Sequence, residues 1–172
     1  MSVTSNEPNR RNVNEKLLRA VAKGDLGSVK KQLRNGADAN PRNRSGETPL
    51  LRAAYRKDGF LLAAQLLDAG ADPNLADNDG NTPLIVSASD EKLNLVRRLV
   101  SHGANVNARN REGDTPLTNA ACWGSARVVD FLLDHGADPL VRDGAGTSAA
   151  DLARQQGHAE IANRLLSKSR SR

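Results

Sequence analysis

At 172 residues, 38% hydrophobic but only 2% aromatic, the chain lacks the large rings of an ordinary globular core and must pack on aliphatic side chains and alanine. Its single cysteine, Cys122, excludes an intramolecular disulfide and fits a reducing compartment. No apolar run approaches the ~20 residues that span a bilayer, and the polar opening of the sequence predicts no secretory signal. The net charge of +5 gathers at the ends, +6 over residues 1–46 and +3 over 147–172, and so does not form the single basic stripe of a nucleic-acid groove.

In chain order, residues 1–13 are rich in Asn, Ser and Arg and predict a disordered arm. A first unit over about 14–45 holds Leu17-Leu18-x-Ala20-Val21 as one helix, a Gly24-Asp25 turn, and Leu26-x-x-Val29-x-x-x-Leu33 as a second. Gly36 closes it in the left-handed conformation. Its lysines and arginines suit an end cap that faces water.

Three fuller units follow, at about 46–79, 80–112 and 113–145. Each starts with Asn, Asp and Gly residues that make a hairpin-like turn. Thr48, Thr82 and Thr115 then cap a helix with the hydroxyl, and Pro49, Pro83 and Pro116 take the first helical position, where a missing N–H costs nothing. Second helices read as Leu93-x-Leu95-Val96-x-x-Leu99-Val100 and Val128-Val129-x-Phe131-Leu132-Leu133. The 46–79 unit carries one extra residue between Ala54 and its second helix, which predicts a bulged turn. A last unit, 146–166, loses the Pro but keeps Asp151-Leu152-Ala153, and residues 167–172 read as a disordered basic tail.

Two markers keep one beat. Thr48-Pro49-Leu50, Thr82-Pro83-Leu84 and Thr115-Pro116-Leu117 are spaced by 34 and 33 residues. Gly36-Ala37-Asp38, Gly70-Ala71-Asp72, Gly103-Ala104-Asn105 and Gly136-Ala137-Asp138 follow at 34, 33 and 33. The period and the Thr-Pro-Leu-x-x-Ala signature resemble the ankyrin repeat over residues 14–166. The resemblance implies an all-α solenoid of stacked helix-turn-helix units with projecting hairpin-like fingers, three units complete and two capping. The sequence departs from the family pattern where Leu51, Ile85 and Thr118 replace the His of Thr-Pro-Leu-His, a change that removes a typical hydrogen-bond network. It departs again at Glu91, which stands where a turn Gly is usual.

Nothing in the chain predicts catalysis. His102 and His135 are 33 residues apart, each just before a closing Gly, so the repeat itself explains them as helix C-terminal residues. Cys122 and His135 fall at opposite ends of a helix of about nine residues, roughly 13 Å, which is beyond reach for a nucleophile and its base. No metal-ligand spacing or phosphate loop is present, and no cofactor is expected.

The resemblance implies a concave partner-binding surface made of finger tips and the exposed side of each first helix. Carried over position by position, that surface holds Arg44, Ser45 and Glu47, then Asn78, Asp79 and Asn81, then Arg111, Glu112 and Asp114 on the fingers. The matching helix ends are Tyr55 and Arg56, Ser89 and Asp90, and Cys122 and Trp123. The only Tyr and the only Trp belong to this set. The finger arginines Arg42, Arg44, Arg109, Arg111 and Arg142 alternate with Ala76, Asp77, Asn78 and Asp79, a mixed-charge surface suited to a protein partner. The expected function is a non-catalytic, monomeric, cytoplasmic protein–protein interaction module. The alternative is a nucleic-acid-associated adaptor that uses the basic termini.

Overall fold

The computed structural model describes residues 7–88 and 92–169, with side chains over 11–88 and 92–168. These residues form ten helices: α1 (Glu7–Lys23), α2 (Leu26–Arg34), α3 (Pro49–Tyr55), α4 (Phe60–Asp68), α5 (Pro83–Ala88), α6 (Leu93–Ser101), α7 (Pro116–Cys122), α8 (Ala126–Asp134), α9 (Ala149–Gln155) and α10 (Ala159–Ser169). The odd-numbered helices stack on one another in chain order. The even-numbered helices make a second layer, each packed on the odd helix before it.

The core is written in columns one repeat apart. Leu50, Leu84 and Leu117 are buried in the odd layer, with Ala150 in the last repeat. Leu66, Leu99, Leu132 and Leu165 are fully buried in the even layer. Small Ala53, Ala54, Ala88, Ala120 and Ala121 are shut off from solvent and let the odd helices approach closely, which is how two per cent aromatics suffices.

The helix starts form as the sequence predicts. Thr48, Thr82 and Thr115 accept the N–H of Leu51, Ile85 and Thr118 at 3.2, 3.3 and 3.1 Å. Thr118 replaces the lost histidine with a bond of its own: its Oγ1 accepts the Thr115 N–H at 2.7 Å and completes a reciprocal capping box. Ser148 and Asp151 do the same for α9.

At the ends the helices reach further than the sequence reading expects. α1 begins at Glu7 and runs unbroken into the first repeat, over residues 7–13 that the sequence reading places in a disordered arm. Pro8 sits in its first turn, where it is harmless, and an Arg11–Glu15 pair at 3.9 Å supports the next. The tail is helical through Ser169, where Ser167 Oγ donates to the Arg164 carbonyl at 2.7 Å. Polar composition reads as disorder, yet both segments extend helices already anchored in the core by Leu17 and Leu165, and lengthening an existing helix avoids the cost of nucleation. Residues 1–6 and 170–172, also assigned to the arm and tail, lie outside the described residues, as does Glu91.

The predicted bulge is present. α3 and α4 are separated by Arg56–Gly59, whereas the α7–α8 turn needs three residues and relies on Gly124 at φ 71. The longer turn uses no left-handed glycine. Gly59 sits at φ −78, and it is glycine for another reason: a Cβ there would lie 1.9 Å from the Ala53 carbonyl oxygen.

Candidate functional site

Four fingers precede α3, α5, α7 and α9. In each, an Asn or Asp pins the turn with one carboxyl or amide oxygen. Asn43 Oδ1 accepts the N–H groups of Ser45 and Glu47, both at 2.9 Å. Asp77, Asn110 and Asp143 repeat the arrangement at 2.8–3.0 Å. Successive fingers are joined through their backbones: Asn78 N–H donates to Ser45 O and Arg111 N–H to Asp79 O, each at 2.9 Å. Gly144 N–H continues the series to Glu112 O. The fingers therefore form one continuous, preformed rim.

The polar candidates divide by what they already bind. Asn78 Nδ2 donates to Arg44 O at 3.1 Å, and Asn81 Oδ1 accepts from Asn110 Nδ2 at 3.1 Å. Asp114 takes a longer contact of 3.5 Å from the same amide. Asn78 and Asn81 hold fingers together, and Asp114 braces its own finger. Arg42 and Arg109 likewise reach the next finger, donating to Ala76 O and Arg142 O. The side chains of Arg44 and Arg111 are exposed and make no hydrogen bond or ion pair with the described residues. Ser89 and Asp90 lie outside the described residues.

Glu47, Tyr55 and Arg56 converge. Together with Ala22 and Arg52 they line a shallow hollow of ≈ 330 Å³. Glu47 accepts from Arg52 Nη1 at 2.9 Å and from Asn43 Nδ2 at 2.7 Å. Tyr55 is 47% exposed, and its hydroxyl donates to Asp77 Oδ2 on the next finger at 3.2 Å. Partial burial of the phenol, reinforced by the Asp77 charge and hydrogen bond, pushes its pKa up to about 12. Arg56 is committed to structure. Its Nη1 donates to Ala22 O at 2.8 Å, and Nε and Nη2 hold Asp58, whose carboxyl is drawn below its usual range by that hydrogen bond.

Trp123 is the C-cap of α7 and is 66% exposed, with no side-chain hydrogen bond to the described residues. Beside it Cys122 is a half-buried free thiol. The turn after Trp123 is covered by the fifth repeat, because a Cβ on Gly124 would meet the His158 ring at 2.6 Å. The Tyr55 and Trp123 ends are separated by the α5 repeat.

Sequence reasoning missed Arg52 and Asn119, which occupy the same register in α3 and α7. Asn119 Nδ2 donates to Ile85 O at 3.4 Å. Arg52 was within reach of the sequence, since it lies three residues before Tyr55 and thus on the same helical face.

The other histidines behave as the repeat predicts. His102 and His135 are C-caps whose Nδ1 donates to Arg98 O and Phe131 O at 2.9 and 2.7 Å. Among the described residues no cluster of His, Cys, Asp and Glu could hold a metal, and no helix is long and apolar enough to cross a membrane.

A family model of ankyrin repeats in three copies matches residues 17–110, 56–143 and 112–171. No curated protein matches the chain.

Proposed function

The chain belongs to the ankyrin-repeat family, and on that footing we propose that it is a non-catalytic module binding a protein partner on the concave face formed by its fingers and odd-numbered helices. Ankyrin repeats are generally protein–protein interaction modules and typically not enzymes. Trp123 carries the reading for this chain: a tryptophan 66% exposed at a helix end, on the side where the family binds, is a residue type over-represented among interface hot spots. Tyr55 is a second anchor, and Arg44, Arg111 and Cys122 complete the free part of the surface. Glu47, Arg56, Asn78, Asn81 and Asp114 keep these anchors in place. Ser89 and Asp90 hold the same register in the sequence and are proposed with this set.

The mechanism is a rigid platform. Fingers already bonded to one another lose little freedom on docking, so more of the contact energy appears as affinity. The free Cys122 fits the reducing cytoplasm, which is the proposed location, and the proposed state is a monomer.

Capture from a native lysate with wild-type and Trp123→Ala baits, followed by titration of the captured partner, tests the reading. The substitution should weaken binding by about 1–2 kcal/mol or more with an unmoved thermal midpoint. Lowered stability with unchanged affinity would make Trp123 a packing residue and remove the support.

A further inference from the structure

The first finger has an edge that the other three lack. Asn78, Arg111 and Gly144 each donate a backbone N–H to the finger before. Arg44 holds the equivalent position, but the first repeat carries no finger, and the Arg44 N–H has no acceptor among the described residues. A groove of ≈ 740 Å³ lies where the preceding finger would stand. Leu18 and Pro41 supply apolar wall, and Arg11 and Arg44 bring two cations, while Arg42 also lines it but gives its guanidinium to Ala76 O of the next finger. Glu15 is the one carboxylate in the lining, and Arg11 and Arg19 flank it at 3.9 and 3.7 Å. An open backbone donor, an apolar wall and an excess of guanidinium groups therefore coincide.

We propose that this groove takes an extended acidic segment of a protein partner, laid against the first finger in place of the missing one. A carbonyl of the segment accepts the Arg44 N–H, as Ser45 O accepts that of Asn78. Its carboxylates face Arg11 and Arg44, and its apolar side chains rest on Leu18 and Pro41. The inference rests on the protein-binding reading and names the chemistry of one part of the partner.

A fluorescein-labelled octapeptide of alternating Glu and Leu is the probe, read by anisotropy against the full chain. Arg11→Ala with Arg44→Ala should weaken binding by about tenfold or more. Lys30→Ala with Lys31→Ala, which removes the same charge from α2, should leave it unchanged. On peptide binding the Arg44 amide should exchange with deuterium at least about tenfold more slowly. Equal losses in both double variants, or an Arg44 amide that exchanges as before, would reduce the contact to diffuse charge attraction and overturn the proposal. Tighter binding by an oligothymidylate of equal charge would assign the groove to nucleic acid instead. A tenfold gain on deleting residues 1–6 would assign it to the chain's own start. Trp123→Ala should not affect this probe, so failure here and failure of the Trp123 surface are read separately.

Discussion

Arg56 Nη1 donates to the carbonyl of Ala22 at 2.8 Å, so the lengthened turn of the second repeat clamps the end of the helix beneath it. Lys92 Nζ does the same one repeat later, donating to Ala54 O at 2.7 Å. Cations thus sit at the C-terminal ends of α1 and α3, where carbonyls lack partners and the helix dipole is negative. Arg56→Ala should cost about 1–2 kcal/mol in urea unfolding. Arg44→Ala, an exposed arginine on the neighbouring finger, should stay within about 0.5 kcal/mol. Equal effects would mean that the Ala22 contact contributes nothing.

The single tyrosine makes its environment directly measurable. Absorbance titration of tyrosinate should give a midpoint near 12 for Tyr55 in the folded protein, against about 10 in urea. The folded pKa is raised, so the linked stability is complete below about pH 10 and disappears as pH rises through 12. Asp77→Asn should lower the midpoint by removing the charge that opposes ionisation, yet leave it above 10, because burial is the larger cause. A midpoint unmoved by Asp77→Asn would place the hydroxyl away from that carboxylate.

The architecture was legible because the motif residues are the residues that architecture demands. Thr48, Pro49 and Leu50 are a cap, a helix start and a core side chain, and each has a local cause. The partner surface was legible only in outline. Tyr55 and Trp123 could be placed because residues that break a repeat are visible against it. Whether a polar finger residue is free or occupied depends on the neighbouring repeat some 30 residues away, so Arg44 and Asn78 looked alike in sequence while only Arg44 keeps its side chain free. The Thr118 bond was equally hidden. A missing histidine could be seen, but the reciprocal hydroxyl depends on a rotamer that only packing selects.

Thr118 is 1% exposed, and its hydroxyl satisfies the buried Thr115 N–H. Thr118→Val keeps the shape and strands that donor, so it should cost about 1–3 kcal/mol in denaturant unfolding. Ile85→Val, at the equivalent place in α5, removes one methylene and no hydrogen bond and should cost about 0.5–1.5 kcal/mol. A Thr118→Val cost below that of Ile85→Val would show that the reciprocal bond is not formed.

The cap on α9 adds a pH dependence. The Ser148 hydroxyl donates to Asp151 Oδ2 at 2.6 Å and draws the Asp151 carboxyl below its usual range. A lowered carboxylate pKa gives stability that is present above the ordinary carboxylate range and is lost as pH falls through the folded value. Ser148→Ala should therefore flatten the acid side of a thermal midpoint versus pH curve and leave its neutral-to-basic side parallel to wild type. An acid limb of unchanged slope would remove Ser148 as the cause.

Adjacent repeats are also stapled by a ladder of asparagines two residues past the Gly-Ala-Asp marker. Asn40, Asn74 and Asn107 each accept the next repeat's N–H, from Asp72, Asn105 and Asp138, at 2.8, 2.8 and 2.9 Å. Each amide also donates to a glycine carbonyl of that repeat, at Gly70, Gly103 and Gly136. Leu140 holds the fourth position, where no further Gly-Ala-Asp marker follows, and it is 59% exposed. Asn74→Ala breaks two bonds between repeats and should cost about 1–3 kcal/mol. Because each repeat rests only on its neighbours, the loss should appear as faster hydrogen exchange in α5 and α6 more than in α9. Leu140→Asn restores the repeat pattern where no further Gly-Ala-Asp marker follows, and should change stability by no more than about 0.5 kcal/mol. Similar costs for the two substitutions would mean that asparagine at this register acts through its own loop, and the ladder would no longer explain how the repeats are joined.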